Sequence, residues 1–189
     1  MRWSACFLAI AACAALAAGP KPRVEFTTNQ GKFLVEVDPD AAKATTDNFL
    51  QYVRSGQYKG TLFHRVIANF MIQGGGVTQQ MTEKPTRAPI RNEAKQAKEK
   101  GLVNVRGSLA MARTSDPNSA TAQFFINVVD NPALDFPSPD GAGYCVFGKV
   151  VQGMDTVDKI RNVKTGPGDM PVQQVVIIDA RMLKAGKAK

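Results

Sequence analysis

His64 is the single histidine of the chain, and that narrows the available chemistry at once. A Ser-His-Asp or Cys-His nucleophile would have to use it, and no serine or cysteine sits in an elbow-type motif. A zinc set fails for the same reason, because one histidine and scattered cysteines cannot supply the ligands. Gly74-Gly75-Gly76 lacks the Lys-Ser/Thr ending and following helix of a phosphate cradle, so it reads as a turn where backbones pass closely. Arg65 is different. It lies inside the strand-like run Phe63-His64-Arg65-Val66-Ile67, where a buried charge is costly unless it is paired or used. Alternation predicts that Phe63, Arg65 and Ile67 share a face and that His64 points away as a structural residue. Phe70-Met71-Ile72-Gln73 follows directly, and later Gln123 abuts the aromatic pair Phe124-Phe125. Taken singly, Phe70, Met71 and Phe125 would be core and Gln73 and Gln123 surface. Only their joint spacing suggests a site.

The elements that would position these residues can be read from periodicity. Val24 and Phe26 alternate with polar neighbours, Asn29-Gln30-Gly31 turns, and Phe33, Val35 and Val37 alternate again, which predicts a hairpin. Phe49, Tyr52 and Val53 at i, i+3, i+4 predict an amphipathic helix over 41–54, stopped by Gly56. Further strands are expected at 61–67, 70–73, 108–112, 124–129, 146–151 and 175–182, with a short helix at 154–160. The stretch 78–107, rich in Lys, Arg, Glu and Pro, reads as surface loop. Two helices and about eight non-alternating strands predict a mainly β fold, a closed antiparallel barrel with helical plugs.

The first residues form a separate object. Arg2, an apolar run from Trp3 to Leu16 and the small-x-small Ala15-Leu16-Ala17 read as a secretory signal peptide over 1–18. The run is too short for a comfortable membrane span of roughly 20 residues. Residues 19–22 (Gly-Pro-Lys-Pro) read as a linker, 23–183 as one domain and 184–189 as a basic tail. Cleavage would remove Cys6 and Cys13 and leave Cys145, which reads as a small buried hydrophobe with no disulfide partner. A second reading makes Cys13 the lipidated first residue of an envelope lipoprotein. The net charge is +8 from 24 basic and 16 acidic residues, and losing Arg2 takes it to +7. The basic residues are spread out, with no recognition helix or aromatic–basic platform, which points away from nucleic acid.

Phe63-His64-Arg65 through Gly75, together with Gly107-Ser108-Leu109-Ala110-Met111-Ala112-Arg113, Gln123-Phe124-Phe125-Ile126 and Val146-Phe147-Gly148-Lys149 running on to Met154, resembles the cyclophilin family over nearly all of 23–183. With the signal peptide, the Met-Ala-Arg-Thr run resembles the family's periplasmic branch. The resemblance implies a closed eight-stranded barrel capped by two α-helices, with peptidyl-prolyl cis–trans isomerase activity on its outer face. By motif position it implies Arg65 as the catalytic arginine. Gln73 and Gln123 would hold substrate backbone or the arginine. It makes Phe70, Met71, Phe125 and Leu134 the proline pocket, and Ala112 and Arg113 suppliers of main-chain groups. Tyr144 stands where many relatives carry histidine. Ala68-Asn69 replaces a frequent Pro-Gly, and Ala133 stands where many relatives place an aromatic, which implies weak cyclosporin binding at most. No cofactor is implied. The expected clients are proline-containing, unfolded or partly folded exported polypeptides, met by a monomer in the periplasm. A non-catalytic proline-peptide binder or holdase chaperone using the same groove is the alternative.

Overall fold

The computed structural model describes residues 19–183, so the expected signal peptide and basic tail lie outside the described residues. Eight strands carry the fold: β1 (Arg23–Thr28), β2 (Gly31–Val37), β3 (Thr61–Ile67), β4 (Met71–Thr78), β5 (Ser108–Met111), β6 (Phe124–Asn127), β7 (Val146–Gln152) and β8 (Ile177–Met182). They run β3-β4-β6-β5-β7-β2-β1-β8 in one antiparallel sheet. The ends of that order meet. Leu62 and Val176 form an antiparallel bridge, and the N–H groups of Phe63 and Gly60 donate to the carbonyls of Val175 and Ile177 at 2.9 and 2.8 Å. Closure leaves few unpaired edges. Among the described residues no helix is long and apolar enough to cross a membrane.

The interior is aromatic. Phe26, Phe33, Phe49, Tyr58, Phe63, Phe124 and Phe147 are all essentially fully buried and belong to one cluster. Phe26 stacks on Phe33 at 5.0 Å, and Tyr58 meets Phe124 edge-on at 5.3 Å. Each such side chain contributes roughly 1.5–3 kcal/mol by leaving water.

Helix α1 (Lys43–Arg54) packs against β8 and supplies Phe49 and Val53 to the core. It starts two residues later than expected. Ala42 provides no side-chain cap. The Glu93 carboxylate does so from elsewhere in the chain, accepting from the N–H groups of Ala44 and Thr45 at 3.1 and 2.8 Å and from the Thr45 hydroxyl at 2.7 Å. At its other end Gly56 takes a φ of 70°, and the Gly56 and Gln57 N–H groups donate back to Val53 and Tyr52, the pattern that only a left-handed residue closes cheaply. Helix α3 (Met154–Arg161) covers the barrel beside β2 and buries Val157 and Ile160.

Three expectations are corrected. The stretch 78–107 is not all loop, because Ala94–Glu99 forms a short helix, α2, burying only Ala94 and Ala97. Two small apolar residues give too little periodic signal to be read. Gly74-Gly75-Gly76 is no turn but the middle of β4. The expected close approach is real: a Cβ on Gly75 would lie 2.9 Å from the Tyr58 ring, and one on Gly76 2.5 Å from Gln123. Residues 19–22 also touch the barrel. Pro22 accepts from the Val37 N–H at 2.9 Å, and Lys21 pairs with Asp38. Finally, Phe63 and Arg65 do not share a face. The β3–β4 register shifts between them, pairing Phe63 with Gly74 and Arg65 with Gln73. This bulge turns Phe63 into the core and Arg65 out to solvent.

Candidate active site

The bulge brings Arg65 into line with the outward residues of its neighbours. Arg65 pairs with Gln73, Gln73 with Phe125, Phe125 with Ala110 and Ala110 with Val146. Directly opposed residues on antiparallel strands point the same way. This single row therefore lays a guanidinium, a carboxamide and an apolar floor side by side across β3, β4, β6, β5 and β7. Met71, Ala110, Phe125 and Val146 form a buried cluster of their own on the outside of the barrel, separate from the interior core. Ile67, Phe70, Ala112, Leu134 and Tyr144 pack around it.

Over this floor opens a groove of about 110 Å³ lined by Arg65, Phe70, Met71, Gln73, Ala112, Arg113, Phe125, Leu134 and Tyr144. Gln123 sits just beyond, lining the adjoining depression with Thr114, Ser119 and Thr121. Gln73 Nε2 donates to Gln123 Oε1 at 2.9 Å, which joins the two carboxamides, and among the described residues no hydrogen bond joins Gln73 to Arg65. Gly76 makes room for this pair by offering no Cβ beneath Gln123. Arg65 pairs instead with Asp169, its Nε donating to Oδ2 at 3.4 Å.

Ala112 and Arg113 differ in which main-chain groups are left without a partner. The Ala112 N–H is already spent on the Gln123 carbonyl at 3.0 Å, whereas no backbone partner among the described residues takes the Ala112 carbonyl or the Arg113 N–H. The Arg113 side chain, which the sequence did not single out, is only 3% exposed. Its guanidinium lies 4.3 Å from the Tyr144 ring centre and donates to the Gly143 carbonyl through Nε and Nη2 at 3.2 and 3.1 Å. It also pairs with Asp140. The Ser138 hydroxyl and then Arg113 hold the Asp140 carboxyl well below the usual carboxylate range. Tyr144 is thus pinned between Arg113 and Phe125, whose ring meets it edge-on at 5.8 Å.

The far wall is held by asparagines. Asn131 Nδ2 donates to the Phe70 carbonyl at 2.9 Å and to Asn127 Oδ1 at 2.6 Å. Asn127 in turn donates to Asn104 and Ser108, and Asn104 to Asp135. Leu134 rides on the 3-10 turn Pro132–Leu134 and accepts from the Tyr144 N–H at 2.8 Å. Ala133 is exposed and contributes no wall. Cys145 is buried against the Thr45 hydroxyl at 3.5 Å, and burial pushes its thiol up to about 12, which suits the inert role expected of it. His64 is half-buried, its Nδ1 has no partner among the described residues, and burial pulls its pKa below the usual value.

A family model described as "Cyclophilin type peptidyl-prolyl cis-trans isomerase/CLD" matches residues 23–182. The chain belongs to that family. This cyclophilin is 54% identical over 166 residues to peptidyl-prolyl cis-trans isomerase cyp18 of Streptomyces antibioticus, covering 85% of this chain and 98% of that one. It is also 54% identical to peptidyl-prolyl cis-trans isomerase B of Escherichia coli K12, covering 82% and 95%. Among solved structures it resembles a cyclophilin-type isomerase of Cryptosporidium parvum, with a TM-score of 0.72 at 26% identity over 88% of this chain and 99% of that one. The same parasite protein solved in the presence of the dipeptide Ala-Pro matches with a TM-score of 0.71 at 27% identity over 86% and 99%. The cyclophilin described here is accordingly a peptidyl-prolyl cis–trans isomerase, and proline-containing peptides are its substrates.

Proposed function

We propose that the groove over Phe125 is the isomerisation site, with Arg65 as the catalytic residue. The X–Pro amide resists rotation by about 18–20 kcal/mol because of its resonance. Rotation uncouples the proline nitrogen from the carbonyl and leaves a basic lone pair there in the transition state alone. A guanidinium aimed at that atom gains a hydrogen bond the planar ground state cannot offer, which is selective stabilisation of the transition state. Arginine suits the role because it stays charged beside an apolar pocket.

Phe70, Met71, Phe125 and Leu134 would hold the proline ring, with Tyr144 closing the groove opposite the arginine. The free Ala112 carbonyl and Arg113 N–H would pair with substrate backbone as a strand would. The joined carboxamides of Gln73 and Gln123 would meet the peptide bond preceding the proline. A hundred-thousand-fold acceleration requires roughly 7 kcal/mol. One charged hydrogen bond supplies about 1.5–3 kcal/mol, so water exclusion by the apolar floor and positioning of the chain must supply the remainder.

The observation that carries this reading is the cross-strand row that sets Arg65 and Gln73 beside the Phe125 floor. Titrating an Ala-Pro-containing peptide into the protein while following amide resonances tests it. Shifts should concentrate on β3, β4, β6 and the residues around Tyr144. Shifts confined to another face would remove the assignment.

The clients we assign are exported polypeptides in the periplasm, met by a monomeric cyclophilin freed of residues 1–18. Support comes from the signal-like N-terminus. The N-terminal sequence of protein recovered from its host should begin at residue 18 or 19. An intact Met1 would overturn the export reading, and a lipid-modified Cys13 would replace it with membrane anchoring.

A further inference from the structure

Arg65 must present its guanidinium to one atom of the substrate, yet its side chain is long and 44% exposed. Freezing such a chain is entropically costly unless something holds it. Gln73 directs its Nε2 to Gln123, and no hydrogen bond joins Gln73 to Arg65 among the described residues. Among the described residues Asp169 is the one side chain that hydrogen-bonds to Arg65, and it takes Nε, leaving both terminal nitrogens without a protein partner.

The segment presenting Asp169 is built for stiffness. Thr165 and Pro171 form a bridge, the Gly166 N–H donates to the Met170 carbonyl at 2.8 Å, and the Val172 N–H donates to Lys164 at 2.9 Å. Gly168 and Asp169 both adopt left-handed backbone, with φ of 71° and 60°. For a residue other than glycine that conformation is uncommon, though an aspartate tolerates it better than most. The tight loop packs against β3, the strand that carries Arg65. A constrained loop, an uncommon backbone conformation and a carboxylate beside the guanidinium meet at one point.

We propose that Asp169 is a positioning residue for isomerisation. It holds Arg65 by Nε so that the two terminal nitrogens stand over the groove before substrate arrives. The inference rests on the assignment of Arg65 as the catalytic residue. Because the pair is partly exposed, its contribution is modest and sensitive to salt. Asp169 touches no reacting atom, so its loss should lower kcat and leave KM nearly unchanged.

The test compares wild type with Arg65→Ala, Asp169→Asn and Asp169→Gly in an X–Pro isomerisation assay at low and high ionic strength. Asparagine and glycine both accept the left-handed backbone, so neither variant strains the loop, and the two check one another. The inference expects Arg65→Ala to be inactive and both Asp169 variants to lose about three- to fivefold in kcat at low salt. It also expects wild-type kcat to fall toward theirs as salt rises, while theirs stays flat. The Arg65 Nε–H resonance should exchange with water faster in both variants. An inactive Arg65→Ala beside Asp169 variants with wild-type kcat at low salt would overturn the inference and leave the catalytic assignment standing. A fully active Arg65→Ala would remove both.

Discussion

At the scale of single residues, type and spacing carried the site a long way. Arg65 stood out as a charge in an apolar run, and Phe70, Met71, Gln73 and Phe125 followed from ordered motifs. What stayed hidden were roles created by distant partners. The Arg113 guanidinium takes its meaning from Gly143, Asp140 and Tyr144, about 30 residues away, and nothing at position 113 announces them. Asp169 lies 104 residues from Arg65. His64, read from alternation as structural, is half-buried, but a bulge places it there rather than simple alternation. It gives a clean pH prediction because it is the only histidine. Its pKa is lowered in the fold from the ordinary 6.5, so below that value the unfolded chain takes up a proton that the folded chain refuses. Stability should therefore be full above about pH 7 and decline as pH falls through 6.5, at no more than about 1.4 kcal/mol per pH unit. Urea midpoints between pH 7.5 and 5.5 should show this decline in wild type and lose it in His64→Gln. A wild-type midpoint that rises as pH falls through this window would contradict the burial of a neutral imidazole.

At the scale of elements, strands with one buried face were readable because alternation reports burial directly. The hairpin β1–β2 is the clear case, with Val24, Phe26, Phe33, Val35 and Val37 all buried. In β4 the run Gly74-Gly75-Gly76 has turn composition, while its physical reason is crowding by Phe63, Tyr58, Phe124 and Gln123. α2 leaves little periodic signal because its buried face is two alanines. The start of α1 carries no local signal because its cap, Glu93, comes from the segment just before α2. That segment has the composition of a loop, yet it stabilises a helix some 48 residues earlier. Glu93→Ala removes three hydrogen bonds from the first turn of α1 and should cost about 1–2 kcal/mol. The urea midpoint should drop accordingly, with the isomerisation rate per folded molecule unchanged, since α1 lines no part of the groove. An unchanged midpoint would mean that solvent satisfies those groups equally well.

At the scale of the whole molecule, a closed barrel was accessible as a class from strand number and order. Which strands close it was not, because the seam rests on a few long-range backbone contacts and not on a pattern. β3 and β8 meet at a single bridge, whereas β1 and β2 pair over six residues. The seam is therefore the weakest joint in the sheet and should open before the rest. Amide exchange is expected at least about tenfold faster at Gly60 and Phe63 than at Val35, which lies inside the ladder. Equal protection would show that the barrel opens only as a unit. Closure also separates two apolar populations. One fills the interior, and a smaller one around Met71 and Phe125 is pushed outside, where it forms the groove floor. Pattern reading cannot divide them, since Phe124 and Phe125 are equally apolar and equally buried in type; only the strand's pleat sends one inward and the other out.

The most direct measurement compares X–Pro isomerisation by the wild-type protein and Arg65→Ala, with the fold of each checked by circular dichroism. The guanidinium is exposed and holds no core contact, so the variant should fold normally, bind the peptide within a few-fold of wild type and lose at least about a hundredfold in kcat/KM. A folded variant that isomerises the peptide at the wild-type rate would contradict the account and move the catalytic group elsewhere.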